Sequence, residues 1–372
     1  MQHKRKKVAL VYDWIDKWGG VERLLLHLNR LIPGMDVYTT AVDRRHAEWA
    51  RELTIHPSFM QSLPLFLRRN RAFMLPLYPL AFENLDFGEY DTVISVTSAF
   101  AKGIVTKPDT HHICYLLTPP RYLWSHSEEY LSEAMRFVGT PFINHLKRWD
   151  KTAAQRPDTY VSISDVVAKR ALDAYGVKSD VVYPPFDTNY WDEKKQLSQA
   201  LPPPIRDKKY YLWVGRMERY KRPDIICDVA RRMPDYTFVF VGTGTLEEAL
   251  KRTATTNCIF TGHLTDEALS AAYTHASALI MPQNEDFGYV SLEAQYHGCP
   301  VISYRKGGAT ETVKDGITGL FFDSQSVSSL MGVLERFEQI SYNLRRSTCD
   351  QIPDIRAQFG SARFDKQFIS YI

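Results

Sequence analysis

The chain has 372 residues, which at ~150 residues per domain suggests two domains, and its 44% hydrophobic and 24% charged residues exclude disorder over most of its length. A net charge of +3 is too weak to argue for nucleic acid. Five scattered cysteines (Cys114, Cys227, Cys258, Cys299, Cys349) without a C-x-x-C argue against a disulfide framework or structural zinc and for the reducing cytosol.

In chain order, the basic start MQHKRKK leads into a buried strand, Val8 to Tyr12. The apolar part ends at Asp13, too short for a signal peptide, and no later run reaches the ~20 residues of a spanning helix. Gly19-Gly20 precedes VERLLLHLNRLI, which has apolar positions at helical spacing. Further strands are predicted at Val37 to Thr40, Thr92 to Val96, His112 to Leu116, Thr159 to Ser162 and Val181 to Tyr183. Residues 186–208, with EKKQ and Pro202-Pro203-Pro204, read as a linker. A second series follows, at Tyr210 to Val214, Thr237 to Val241, Cys258 to Thr261, Ala278 to Met281, Pro300 to Tyr304 and Gly319 to Phe322. Strand, loop and helix repeat throughout, so the expected class is α/β: two doubly wound parallel sheets facing across a cleft. The expected domains are 1–185, a linker 186–208, and 209–354.

Three motifs carry chemistry. In VGRMERYKRP, Arg216 and Lys221 follow a strand end at Gly215, in one loop at the carboxyl edge of a sheet. A guanidinium and an ammonium so placed can hold a diphosphate; a solvated basic turn is the plain alternative. VGTGT, with Gly242 and Gly244, closes a strand and opens a helix, a turn that lets backbone approach a ligand. It lacks the third glycine of a dinucleotide fingerprint. In MPQNEDFGYVSLEAQYHGCPVISYRKGG, Glu285 and Glu293 lie eight residues apart, and Gly288 and Tyr289 open a helix whose first amides can face a phosphate.

Gly19-Gly20 before Glu22-Arg23, CYLLTPPRYLW, SISDVVAKRALDAYG, VGRMERYKRPD, TGHLTDEAL and EDFGYVSLEAQYHGCPVISYRKGGATETVKDGITGLFF together resemble the retaining glycosyltransferases of family 4, which have the GT-B fold. The EDFG and TPPRYLW variants are most similar to bacterial mannosyltransferases of O-antigen and capsule synthesis. The resemblance implies hexose transfer, with GDP-mannose favoured as donor, onto a lipid-linked or oligosaccharide acceptor. It implies that Arg216 and Lys221 contact the donor diphosphate, that Glu285 contacts the transferred sugar, and that Glu293 binds the donor ribose. Glu285, Arg216 and Lys221 are the catalytic candidates. Backbone at Gly19, Gly20, Gly215, Gly242, Phe287, Gly288, Tyr289 and Val290 would complete the donor site. By the same resemblance, 355–372 should cross back onto the N-terminal domain.

One position departs from the pattern: Leu117 stands where related sequences carry a histidine thought to contact the reacting sugar. Thr118 and Arg121 are the local polar candidates for the acceptor. No Asp-x-Asp is present, and the two cations with helix N-termini can stabilise a leaving diphosphate, so no metal cofactor is expected. The alternatives are a UDP-sugar donor, a hydrolase using Glu285 and Glu293 as paired carboxylates, and a non-catalytic sugar-nucleotide-binding homologue.

Residues 55–82, with Arg68, Arg69 and Arg71 among apolar and aromatic side chains, suit the anionic inner face of the plasma membrane; a buried helical hairpin is the alternative. Pro64, Pro76 and Pro79 argue against one continuous helix. The expected location is therefore cytoplasmic and peripheral on the membrane. The oligomeric state is left open.

Overall fold

Short runs of β-branched and aromatic residues, each followed by a turn and a helical stretch, bury both faces only as inner strands of a parallel sheet covered by helices. This is the architecture in the computed structural model, which describes residues 6–124, 133–197 and 201–372. The chain divides into two units, Met1–Pro185 with Phe364–Ile372, and Phe186–Arg363.

The first unit holds β1 (Val8–Tyr12), β2 (Asp36–Thr39), β3 (Thr54–Pro57), β4 (Thr92–Thr97), β5 (His111–Leu116), β6 (Thr159–Ser162) and β7 (Asp180–Val181). They form one parallel sheet in the order β3-β2-β1-β4-β5-β6-β7. The inner strands β1 and β4 are buried along their whole length and pair from Val8↔Thr92 to Tyr12↔Val96. The second unit holds β8 (Tyr210–Val214), β9 (Thr237–Val241), β10 (Cys258–Gly262), β11 (Ala278–Met281), β12 (Val301–Tyr304) and β13 (Gly319–Phe322). Their order is β10-β9-β8-β11-β12-β13, again parallel. Trp213, Phe240, Ile280 and Leu330 lie in its core. Both sheets are therefore doubly wound α/β, as the alternation predicts. In each, the chain turns outward in opposite directions from two adjacent strands, β1 and β4 or β8 and β11. Loops leaving such a pair part company and open a crevice at the carboxyl ends, where sheets of this kind bind ligands.

Three expectations are corrected. Residues 186–208 are not a linker: Thr188–Gln196 is a helix capped by Asp187, whose carboxylate accepts from the Tyr190 amide at 3.0 Å. Trp191 is buried against Tyr273 and His297, and Ile205 is buried, so apolar anchors tie this stretch into the second unit. The crossing segment is shorter than 355–372. Helix Ile352–Phe359 stays with the second unit, where Phe359 meets Phe287 and accepts from the Phe186 amide at 2.9 Å. Only Phe364–Ile372 belongs to the first, with Phe364 and Phe368 edge-on to Tyr115 and Asp365 bonded to His27 at 2.6 Å. Residues 55–82 are neither one amphipathic element nor a hairpin. They form the tail of edge strand β3, a turn at Phe59–Ser62 and helices Leu65–Arg69, Arg71–Met74 and Leu77–Glu83; Pro64 and Pro76 stand just before the first and third helices, while Pro79 lies within the first turn of the third. Met74, Tyr78 and Phe82 enter the core, while Phe66 and Phe73 remain over 70% exposed.

Among the described residues no helix is long and apolar enough to cross a membrane.

Candidate active site

The loop after β8 is fixed by backbone. Gly215 N donates to Val241 O at 3.0 Å and Met217 N to Thr243 O at 2.9 Å, binding it to the VGTGT turn. Gly242 has φ +119, and a Cβ there would lie 2.0 Å from the Gly215 carbonyl oxygen. Its missing side chain thus serves loop-on-loop packing in the first place. The Glu218 carboxylate accepts from the Thr245 hydroxyl at 2.6 Å, a second tie between the loops. The loop ends at Arg222, which has φ 54 and is the only non-glycine with positive φ among the described residues. That left-handed turn, costing of order 1–3 kcal/mol, points the chain into helix Pro223–Arg232 and sets the direction of Lys221 just before it. Tyr220 lies between the two cations: Arg216 Nη2 donates to its hydroxyl at 3.0 Å, and the Lys221 ammonium stands 5.3 Å from its ring centroid.

The loop after β11 supplies the acid. Lys221 donates to Glu285 Oε1, joining the loops of the two strands at which the sheet divides. Each side chain of the pair is 15% exposed. Gln283 Nε2 donates to the same oxygen at 3.0 Å. The backbone of Glu285 is held by a bridge to Gly307 and by the Gly308 amide at 2.9 Å. A Cβ at Gly308 would sit 2.4 Å from Phe287 Cα, so the second glycine pair also serves close packing of this loop. Gly288, at φ +86, turns the chain into helix Tyr289–Tyr296, whose start no side chain caps. Phe287 is buried between Tyr289 and Phe359.

Glu293 lies on this helix at 6% exposure and is not a solvated glutamate. Its Oε2 accepts from the Tyr273 hydroxyl at 2.9 Å. Its carbonyl accepts from His297 Nδ1 at 2.7 Å, which leaves Nε2 of the neutral ring to accept from Ser270 at 2.8 Å. Burial lowers His297 to about 4 and keeps it neutral. Glu285 is thus paired with an ammonium, whereas Glu293 accepts from a phenol. This is unlike a hydrolase pair facing one bond.

In the first unit, Gly19 caps helix Gly20–Leu31, and the buried Glu22 accepts from Tyr12 at 3.2 Å. Burial raises the Glu22 carboxyl above its ordinary range. Thr118 is buried, and its hydroxyl accepts from Arg170 Nη1 at 3.4 Å. Leu117 is buried beside it. Arg121 begins helix Arg121–Trp124, anchored by Trp124 donating to Asp150 at 2.7 Å.

Gln283, Tyr220 and Tyr273 were not found from sequence. The first two stand inside the motifs and could have been found by asking what holds each charge. Tyr273, twenty residues before Glu293, carries no local signal. Among the described residues no group of three His, Cys, Asp or Glu could hold a metal ion.

The comparisons with known proteins bear on this same region. Residues 196–351 match the family model of glycosyl transferases group 1. That segment includes Arg216, Lys221, Glu285 and Glu293. An uncharacterized 41.2 kDa protein of the cps region of Klebsiella pneumoniae is 23% identical over 313 residues, 80% of this chain and 81% of that protein. The Arabidopsis thaliana sulfoquinovosyl transferase SQD2 is 27% identical over 239 residues, 63% of this chain but 44% of the relative, so the chain spans less than half of it. The Anabaena HepE structure in complex with UDP-glucose matches with a TM-score of 0.72 at 17% identity, over 98% of both chains. That likeness is one of fold, and with it the two Rossmann-like units are those of GT-B proteins.

Proposed function

We propose that the chain is a retaining glycosyltransferase. It moves a hexose, with mannose from GDP-mannose the favoured donor, onto a lipid-linked or oligosaccharide acceptor in bacterial surface polysaccharide synthesis. The observation that carries this reading is the meeting of Lys221 and Glu285 at the dividing point of the second sheet, inside the matched segment. A cation and a carboxylate at that crevice, beside the uncapped helix at Tyr289, provide for a diphosphate and for a sugar hydroxyl respectively. Arg216 and Lys221 would bind the diphosphate and stabilise it as it leaves. Glu285 would orient the transferred sugar, and Glu293, steadied by Tyr273, the ribose. The leaving phosphate would take the acceptor proton, a route that needs neither a base on the protein nor a metal ion. The relative from a cps region supports the polysaccharide role.

A second reading, a UDP-sugar donor, is favoured by the HepE complex with UDP-glucose. A third, a non-catalytic binder of sugar nucleotides, is motivated by Leu117. Incubation with labelled GDP-mannose and UDP-glucose, with and without chelator, separates the three. Release of GDP with chelator present, and an α-linked product by NMR, is the expected result. Release of UDP alone changes the donor. Binding without turnover of either makes the chain a binder, and a β-linked product refutes retention.

The site of work proposed is the inner membrane surface, reached through residues 55–82. Phe59, Leu65, Phe66, Phe73 and Leu80 are exposed there. Of the arginines, Arg71 is engaged by Asp16 and stands 4.3 Å from the Trp14 ring centroid, while Arg68 Nε donates to Leu63 O at 3.0 Å. The Arg69 side chain lies outside the described residues. With Arg71 paired, Arg68 and Arg69 carry the electrostatic part, about 2 kcal/mol at ~1 kcal/mol each.

A further inference from the structure

Gln283 is buried to 1% exposure at the carboxyl end of β11. Its Oε1 has no hydrogen-bond partner among the described residues. A buried amide oxygen left unpaired weakens a fold, and a methionine would fill similar space without that penalty. What the amide supplies instead is the Nε2–H to Glu285 Oε1 at 3.0 Å. That oxygen also accepts from Lys221. The inference rests on the proposed function: once a diphosphate engages Lys221, the carboxylate loses its ammonium. Gln283 has no such second claim on it. It sits two residues before Glu285 on a loop that the Gly307 bridge and the Gly308 amide hold in place.

We propose that Gln283 is a positioning residue that keeps the Glu285 carboxylate turned toward the transferred sugar while Lys221 serves the diphosphate. It acts through Glu285 and makes no contact with the reacting atoms. Because its cost falls on stability and its benefit on turnover, removing it moves the two in opposite directions. A residue that only packs would move them together.

The test is Gln283→Met in the full chain. Three quantities are read: the thermal midpoint, the Kd of GDP and of UDP by calorimetry, and kcat and KM for the sugar nucleotide that the wild type turns over. The expected result is a midpoint equal to or above wild type, both Kd values within twofold, and kcat at least tenfold lower with a smaller change in KM. A fall in kcat below threefold overturns the proposal. So does a drop in kcat accompanied by a lower midpoint and proportionally weaker nucleotide binding, which is the signature of packing alone. A wild type that turns over no nucleotide sugar refutes the proposed function and this inference with it; an active wild type matched by the variant refutes only the role of Gln283.

Discussion

Replacing Glu285 with glutamine tests whether this carboxylate competes with a diphosphate for Lys221. The Lys221 ammonium is paired with Glu285, and both side chains are 15% exposed. Such a pair, shielded from water but not sealed from it, is worth on the order of 1 kcal/mol. Binding a diphosphate through Lys221 first has to break it. Glu285→Gln keeps the shape and removes the charge, so that cost disappears and GDP or UDP binds about fivefold more tightly, at 1.4 kcal/mol per tenfold. Under the proposed function turnover falls nonetheless, because the carboxylate assigned to orienting the sugar is gone. Lys221→Ala acts in the other direction. Loss of a charged partner of a phosphate costs ~1.5–3 kcal/mol, roughly a ten- to 150-fold weaker Kd. Lys251→Ala, on an exposed helix and paired with Glu247, is the control and stays within twofold. Calorimetric titration of the four proteins with GDP and UDP decides the matter. If Glu285→Gln weakens binding as Lys221→Ala does, Glu285 helps to hold the nucleotide and the competition argument is wrong. If Lys251→Ala matches Lys221→Ala, the diphosphate is held elsewhere.

Tyr273→Phe removes the 2.9 Å bond to Glu293. It should weaken GDP or UDP five- to tenfold while leaving the 2′-deoxy nucleotide unchanged; equal losses on both would make Tyr273 a packing residue. Burial lowers His297 to about 4 and His112 to about 3, from an ordinary 6.5. The folded protein then binds fewer protons than the unfolded chain as pH falls. These contributions are complete above pH 6.5 and are lost toward pH 4, about 3 kcal/mol for His297 alone. Urea midpoints between pH 7 and 4 should decline, and His297→Gln should shallow that decline; an unchanged slope refutes the assignment. Anionic vesicles at low salt should sediment the wild type and not an Arg68→Glu/Arg69→Glu variant. Wild type left in the supernatant would return residues 55–82 to an ordinary surface.

Strand positions were legible because β8 and β11 are short apolar runs bounded by turn residues, and inner parallel strands have no polar face to confuse the pattern. β3, Thr54–Pro57, escaped notice because it is an edge strand with exposed Thr54, His56 and Pro57. Residues 186–208 looked like a linker because prolines and lysines dominate their composition. What places them in the fold is two or three anchors, Trp191 above all, whose partners lie about eighty residues or more along the chain. At the site, the charged residues could be read from sequence and their pairing could not. Arg216, Lys221 and Glu285 stand in recognisable motifs, whereas the Lys221 to Glu285 contact spans 64 residues. It exists because strand order sets β8 beside β11.

The two sheets put that order to different uses. In the first, Asp13 after β1 lies at the dividing point, and its carboxylate accepts from Thr97 Oγ1 and from the amides of Ser98, Phe100 and Ala101, all at 2.8–2.9 Å. It is 1% exposed, and the hydroxyl of the last β4 residue and three amides of the following loop occupy it, so it closes the fold. In the second sheet the equivalent loops meet through Lys221 and Glu285, an ion pair between two side chains that are each 15% exposed. An ion pair of that kind can be exchanged for a ligand's charges, whereas a carboxylate sealed by backbone amides cannot be freed without opening the loop. Similar topology thus yields a structural lock in one unit and an exchangeable charge pair in the other. That difference rests on the chemistry at the strand ends and not on the fold, and it is the reason the proposed function assigns donor recognition to the second unit.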